Sequence, residues 1–292
     1  MTGLAGGQPS SSDPIPHQEW SWDPSLYAGA AAFYSCGRVA YPEALAEELV
    51  AALGLDGAGR LLDIGCGPGS LTLLLAPLFA AVIGVDADPD MLAEAARQAA
   101  RAGIGNVAWR HLRAEDLPAD LPPPTVITFA QSFHWMDRPR VAATAREMLV
   151  ERGALVHVHA TTHQGMDTKE PLPHPRPPRA AITGLIRQYL GTTHRAGKGV
   201  RPAQGGGEVR EERVYRAAGF CGPRRIELPA RTVERTAEEV RASVYSLSSA
   251  APHLFGEHLD RFDSDLNALL AQAAPDGLFS ERLREIAIDI WR

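Results

Sequence analysis

Two carboxylates and three alternating glycines make up the stretch of this 292-residue chain best suited to hold a ligand. Leu61-Leu62-Asp63-Ile64 is a short apolar run with an acid near its end, and Gly65-Cys66-Gly67-Pro68-Gly69-Ser70 follows at once. Alternate glycines let the backbone approach a ligand that any Cβ would block. A helix beginning at Ser70 adds N–H groups at the same spot. Nicotinamide and flavin sites use a similar turn, but they need a further glycine three residues after the second, over a pyrophosphate. Ser70 stands there instead. Asp63 would also sit badly beside a pyrophosphate, whereas it suits a ligand bearing an ammonium group. Asp86 ends the next run, Val82-Ile83-Gly84-Val85-Asp86. Its carboxylate can accept from the vicinal hydroxyls of a ribose, the role of an acid about 20 residues after such a turn.

Histidines supply the candidates for proton transfer. His134 lies past the fourth apolar run and His163 past the fifth, and an imidazole titrates near neutral pH. His134 and Trp135 read equally well as a structural corner. His157 and His159 alternate along one run and so share a face, with no acid or cysteine joining them at ligand spacing; no metal site is expected. Cys36, Cys66 and Cys221 are far apart and form no CxxC, which favours reduced thiols over a disulfide framework. Arg38 could pair with a carboxylate through both arms of its guanidinium. His194, Arg195, Lys198 and Arg201 cluster in a glycine-rich stretch that either faces solvent or gathers an anionic substrate.

Between residues 58 and 160 the elements that position these groups alternate regularly. Apolar runs at 60–64, 80–85, 107–110, 125–129 and 154–160 read as strands, with helices at 70–78, 89–101 and 140–150. That rhythm predicts right-handed βαβ units and a parallel sheet covered on both faces. An earlier helix spans 44–53. After 160 the rhythm breaks: Thr161 to Arg179 carries five prolines and reads as a loop, Arg179 to Leu190 as a helix, and 191–207 as a glycine-rich flexible stretch. A strand at 225–228, helices at 237–247 and 256–273 and an apolar end at 286–291 complete the pattern. The expected organisation is a mobile tail (1–24, with Trp20 and Trp22 able to dock), N-terminal cap helices (25–57), a cofactor-binding core (58–160), a lid or loop insertion (161–224), and C-terminal strands and helices that close the sheet and the substrate pocket (225–292).

Apolar residues form 45% of the chain and charged residues 22%, which places it among folded globular proteins. The net charge of −6 argues against non-specific nucleic-acid or membrane-surface binding, both of which need a positive field. No basic, apolar leader and no membrane-length apolar run is visible, so a cytoplasmic location is expected.

Taken together these segments resemble the class I S-adenosylmethionine-dependent methyltransferases. Asp63-Ile64-Gly65-Cys66-Gly67-Pro68-Gly69 is similar to the family's first motif, and Gly84-Val85-Asp86 with Met91-Leu92 to the next. Arg113-Ala114-Glu115-Asp116-Leu117-Pro118 resembles the adenine-contacting segment. Ala130-Gln131-Ser132-Phe133-His134-Trp135-Met136-Asp137 resembles the motif after strand four in the branch of trans-aconitate methyltransferase-like enzymes. The likeness covers about residues 27–160. It implies an α/β fold with a doubly wound, mostly parallel seven-stranded sheet and an inserted lid and C-terminal helical cap. It further implies S-adenosyl-L-methionine as cofactor. Gly65, Cys66, Gly67 and Gly69 would lie along its methionine part with Asp63 near the amino group. Asp86 would hold the ribose, Ala87 and Met91 would flank the adenine, and Ala114 would meet its edge. Ala130 and Ser132 would line the site, and Tyr34 and Arg38 would cap it. Arg113 stands where the family often has an acid, so Glu115 or Asp116 would accept from the adenine amino group. At strand four the usual leading acid is absent. The implied activity is methyl transfer to a small molecule in bacterial secondary metabolism, with an oxygen acceptor favoured and a homodimer open. A protein that binds the cofactor without methylating, such as a cyclase, is the alternative.

Overall fold

A glycine, a proline or an Asp cap follows each short apolar run, and the alternation yields a central sheet with helices on both faces. The structure is a computed structural model that describes residues 23–192, 195–196, 199–200 and 207–292. Trp20, Trp22, His194, Lys198 and Arg201 lie outside the described residues. In chain order the elements begin with helices α1 (Ala31–Gly37) and α2 (Glu43–Leu53), then β1 (Arg60–Ile64), α3 (Ser70–Leu75), β2 (Ala81–Asp86), α4 (Pro89–Ala102), β3 (Val107–His111), β4 (Val126–Ala130), α5 (Arg138–Met148) and β5 (Ala154–His159). There follow α6 (Arg179–Leu190), the two-residue strands β6 (Arg195–Ala196) and β7 (Gly199–Val200), α7 (Gly207–Ala217), β8 (Arg224–Leu228), β9 (Thr232–Thr236), α8 (Ala237–Tyr245), α9 (Leu259–Ala273), β10 (Leu278–Arg282) and β11 (Ile286–Trp291).

The expected seven-stranded sheet is present, in the order β3-β2-β1-β4-β5-β11-β8. β1 to β5 run parallel, while β11 enters antiparallel between β5 and β8. One face carries Leu62, Ile64, Ile127 and Phe129 against α5 and α7; the other carries Leu61, Val82, Val156 and Ile288 against α2 and α3. Strands buried on both faces explain the nearly unbroken apolar runs. The chain reverses from β1 to β4 at the middle of the sheet, and in such sheets ligands bind at that switch point, beyond the strands' carboxyl ends.

A second apolar cluster forms a cap. Ile182 of α6, Val240 and Tyr245 of α8, and Phe262 and Leu266 of α9 share it, with Phe255 stacked on Phe262 at 4.0 Å. The antiparallel pair β9–β10 belongs to the same unit. Helix α1 lies so close to α8 that a Cβ on Gly37 would come within 2.4 Å of the Ala242 carbonyl.

Part of the expected insertion proves to be core. Residues 207–217 form α7, whose Val214 and Tyr215 are buried beside Trp291 and Phe133. The polar sequence of this helix (Glu-Val-Arg-Glu-Glu-Arg) and the glycines before it conceal its single apolar stripe. The cap instead draws α6 from one crossover and β9, α8, α9 and β10 from the next. Among the described residues no helix is long and apolar enough to cross a membrane.

Candidate active site

β1 delivers Asp63 and the glycine turn to the switch point. Gly65, Gly67 and Gly69 all adopt positive φ (69°, 55° and 82°), a region that L side chains enter only with strain. Their surroundings differ. A Cβ on Gly65 would meet Ser132 at 2.4 Å, whereas one on Gly67 would meet no protein atom within 4 Å. Gly67 therefore faces open cavity, and Gly65 must be bare for the chain to pass. Gly69 stays out of the cavity lining; its missing Cβ makes room for Trp109, at 2.9 Å. Its expected role beside the cofactor is thus replaced by packing at the start of α3.

The other thirteen residues expected at the cofactor site all line one cavity: Asp63, Gly65, Cys66, Gly67, Asp86, Ala87, Met91, Ala114, Glu115, Ala130, Ser132, Arg38 and Tyr34. Gly65 and Cys66 donate from their N–H groups to Val85 O, at 2.8 and 3.0 Å, binding the turn to β2. Asp86 is fixed from two sides, its Oδ2 accepting from Gly67 N at 2.7 Å and its Oδ1 from Asp88 N at 2.9 Å. Each oxygen keeps a lone pair for a further donor. Burial lifts this carboxyl to about 6, against those two bonds, and the neighbouring Asp88 and Asp63 add to the rise. Asp63 is only 1% exposed. The hydroxyls of Thr72 and Thr128 donate to its two oxygens, the latter at 2.7 Å, and burial still raises its pKa. Burial also pushes the Cys66 thiol well up, which makes it an inert wall group.

Glu115 serves a different purpose from the one expected. Its Oε1 accepts from Asp137 N at 2.9 Å, at the start of α5, and Asp116 does not line the cavity. Glu115 Oε2 lies 3.5 Å from Arg113 Nη2. Ser132 hydroxyl is likewise committed, donating to Ile64 O at 2.7 Å.

Several wall residues were not singled out as binders from the sequence: Tyr27, Tyr41, Gln131, Trp135, Leu112 and Thr162. Gln131 sits at φ 57° and donates to Tyr41 Oη (3.2 Å) and Thr162 Oγ1 (3.3 Å). A non-glycine residue in that region carries strain of about 1–3 kcal/mol, which the surrounding structure must hold. Tyr27 meets Tyr34 and Trp135 edge-on at 6.3 and 6.2 Å. Arg38 lies 4.5 Å above the Tyr34 ring and donates from Nε and Nη2 to Ser246, each at 2.8 Å.

A second cavity, of about 480 Å³, adjoins the first and shares Tyr27, Tyr34, Arg38, Gln131 and Trp135 with it. His134 and His163 both line this one, together with Arg187 and the Ser248–Ser249 corner. His163 is ringed by cations. Burial first, then Arg38, Arg179 and Arg235, drive its pKa down to about 3, opposed only by Glu281. Its Nδ1 is buried without a hydrogen-bond partner among the described residues. Its carbonyl accepts from Arg179 (3.1 Å) and Arg235 (3.2 Å). Glu281 binds Arg179 at 2.8 Å and Arg235 at 3.3 Å, and accepts from Gly165 N at 2.9 Å.

His157 and His159 do share a face, stacked 4.2 Å apart. The expectation that no acid joins them is overturned: Glu211 of α7 reaches both, 3.8 Å from His157 Nδ1 and 3.9 Å from His159 Nδ1. An acid 52 positions beyond the nearer histidine left no local signal.

The chain's relatives agree with this geometry. Residues 61–153 match the family described as a methyltransferase domain. A trans-aconitate 2-methyltransferase of Methylobacterium nodulans is 34% identical over 93 residues, 31% of this chain and 34% of that one. An uncharacterised methyltransferase of Mycobacterium tuberculosis is 32% identical over 134 residues, 46% of this chain and 51% of the relative. The chain thus spans about half or less of the curated relatives it matches. A protein from Anaeromyxobacter dehalogenans described as a type II methyltransferase shares the fold at a TM-score of 0.50 and 23% identity, over 87% of this chain and 95% of that one. The chain thus carries a methyltransferase domain over residues 61–153, a match that implies S-adenosylmethionine as methyl donor. Over part of its length it is similar to trans-aconitate 2-methyltransferases.

Proposed function

We propose that this protein transfers a methyl group from S-adenosylmethionine to a carboxylate oxygen of a small acidic molecule. The observation that carries the reading is the pair of arginines on the wall of the second cavity, Arg38 and Arg187, beside His163; Arg179 and Arg235 are paired with Glu281 outside that lining. Such a wall attracts an anion. A carboxylate acceptor also needs no general base, since it is ionised at neutral pH.

The residues of the first cavity fit the cofactor: the space opposite Gly67 accepts a ligand, and each Asp86 oxygen has a lone pair for a ribose hydroxyl. The buried Asp63 charge would face the ammonium group, and Ala87, Met91 and Ala114 would enclose the adenine. When bound, S-adenosylmethionine supplies an electrophilic methyl group on a sulfonium. The chain's work is then to place the acceptor oxygen in line with that methyl and to exclude water, which alone lowers the barrier substantially. Tyr27, Tyr34 and Trp135 form the shared wall where the two ligands would meet. With its pKa near 3, His163 is neutral and a weak proton acceptor, so it orients the acceptor and does not activate it. His134 stands on the same wall as the one histidine to consider for a hydroxyl acceptor.

The test is turnover. Purified protein, S-adenosylmethionine and a panel of di- and tricarboxylic acids, phenols and amines are incubated, and S-adenosylhomocysteine and product mass are measured. Methyl esters of acids are the expected products. Methylation of phenols or amines only would reject the carboxylate, and a converted substrate without an added methyl would point to non-methylating use of the fold.

A further inference from the structure

We propose that His157, His159 and Glu211 form a binding site for a divalent transition-metal ion of the zinc class, joining β5 to α7. One ligand-type atom from each of the three residues lies within 4.8 Å of the other two. Tetrahedral ligands around zinc lie about 3.3 Å apart, given bonds near 2.0–2.1 Å. The Nδ1-to-Oε2 distances of 3.8 and 3.9 Å need only a small contraction to reach that geometry. Two imidazoles and a carboxylate form a donor set that zinc and its neighbours prefer over calcium or magnesium.

The surroundings support a cation. His159 Nε2 is 3.1 Å from Asp289 Oδ2, so the ring's other nitrogen, which faces Glu211, is the one left to coordinate. A carboxylate behind a ligating histidine is the usual way of fixing its tautomer and strengthening it as a donor. Asp289 is itself held by two bonds from Arg225, both 2.7 Å. Burial keeps His157 neutral, the state in which it can ligate. Glu211 and Asp289 are the carboxylates of the cluster's surroundings and Arg225 pairs with Asp289; Arg138 acts on the adjoining Tyr215 and His134 on His157. The Tyr215 hydroxyl, now 3.0 Å from His157 Nδ1, has Glu211 beside it as an alternative acceptor. His159 and Glu211 are partly exposed (20% and 13%), which gives an ion a way in.

Chelator-stripped, untagged full-length protein titrated with zinc chloride against a chromophoric indicator tests this directly. One tight equivalent is expected, weakened at least tenfold in His159→Asn and in Glu211→Gln, and unchanged in His174→Asn, whose imidazole sits by Glu234 and Asp276 elsewhere. Zinc should also raise the melting temperature, and a chelator should reverse the rise. No stoichiometric uptake, or uptake indifferent to both variants, would overturn the site. If the variants do not fold, cobalt(II) absorption of the wild type decides: visible bands of a low-coordinate nitrogen and oxygen site are expected, and their absence rejects the proposal.

Discussion

Gly65 and Gly67 show how two adjacent members of one motif perform separable tasks. Gly65→Ala adds a clash with Ser132 to an unfavourable φ, and should cost about 2–4 kcal/mol in urea-unfolding measurements. Gly67→Ala carries the backbone penalty alone, about 1–2 kcal/mol. Its methyl enters the cavity, so S-adenosylhomocysteine binding by calorimetry should weaken at least tenfold in a protein that still folds. Asp86 makes a pH prediction. Its carboxyl ionises at about 6, and the ionised form is the one that would accept from a ribose. Affinity should hold above that value and fall as the pH drops through it, roughly tenfold between pH 7.5 and 5. Asp86→Asn should bind weakly and show no such step. These residues were legible in the sequence because one turn and one strand end carry them all. Tyr27 and Thr162 were not, since each comes from a separate segment and only the fold brings them to the wall that holds Gln131 and Trp135.

At the scale of elements, legibility followed the origin of burial. The inner strands β1, β4 and β5 of the central sheet were readable because both their faces are buried and largely apolar. β9 and β10 were missed because their buried positions include Arg235 and Glu281, each under 5% exposed, and an ion pair within a strand looks like a loop when read in one dimension. α7 was missed because the buried apolar residues described on it, Val214 and Tyr215, are adjacent in a highly charged run. The contact of α1 with α8 yields a prediction of its own. Gly37→Ala would place a methyl 2.4 Å from the Ala242 backbone, forcing the helices apart at a cost of about 1–3 kcal/mol. Because Arg38 and Tyr34 flank that contact, ligand binding should weaken alongside the melting temperature in a thermal-shift assay.

For the whole molecule, the division between sheet and cap is the organising fact. The sheet holds the glycine turn of the first cavity; the cap, assembled from two separate crossovers and α1, shapes the second cavity. Glu281 of β10 fastens α6 and β9 of the cap to the loop after β5. Burial alone would raise its pKa, but the bonds and charge of Arg179, the Gly165 N–H and the charge of Arg235 outweigh it and hold the carboxyl below the ordinary glutamate range. Glu281→Gln leaves two arginines without their partner and should cost about 3–5 kcal/mol in denaturant titration. With a depressed pKa, its contribution is complete above the ordinary glutamate value and is lost as the pH falls through the lowered one. The groups it gathers are 116, 102 and 46 positions away along the chain. Contacts of such long range close late in folding and are the natural places for a partial opening. The acceptor wall should therefore exchange its amide hydrogens as a single cooperative unit, well before the sheet, with one carboxylate serving as the latch for all three segments.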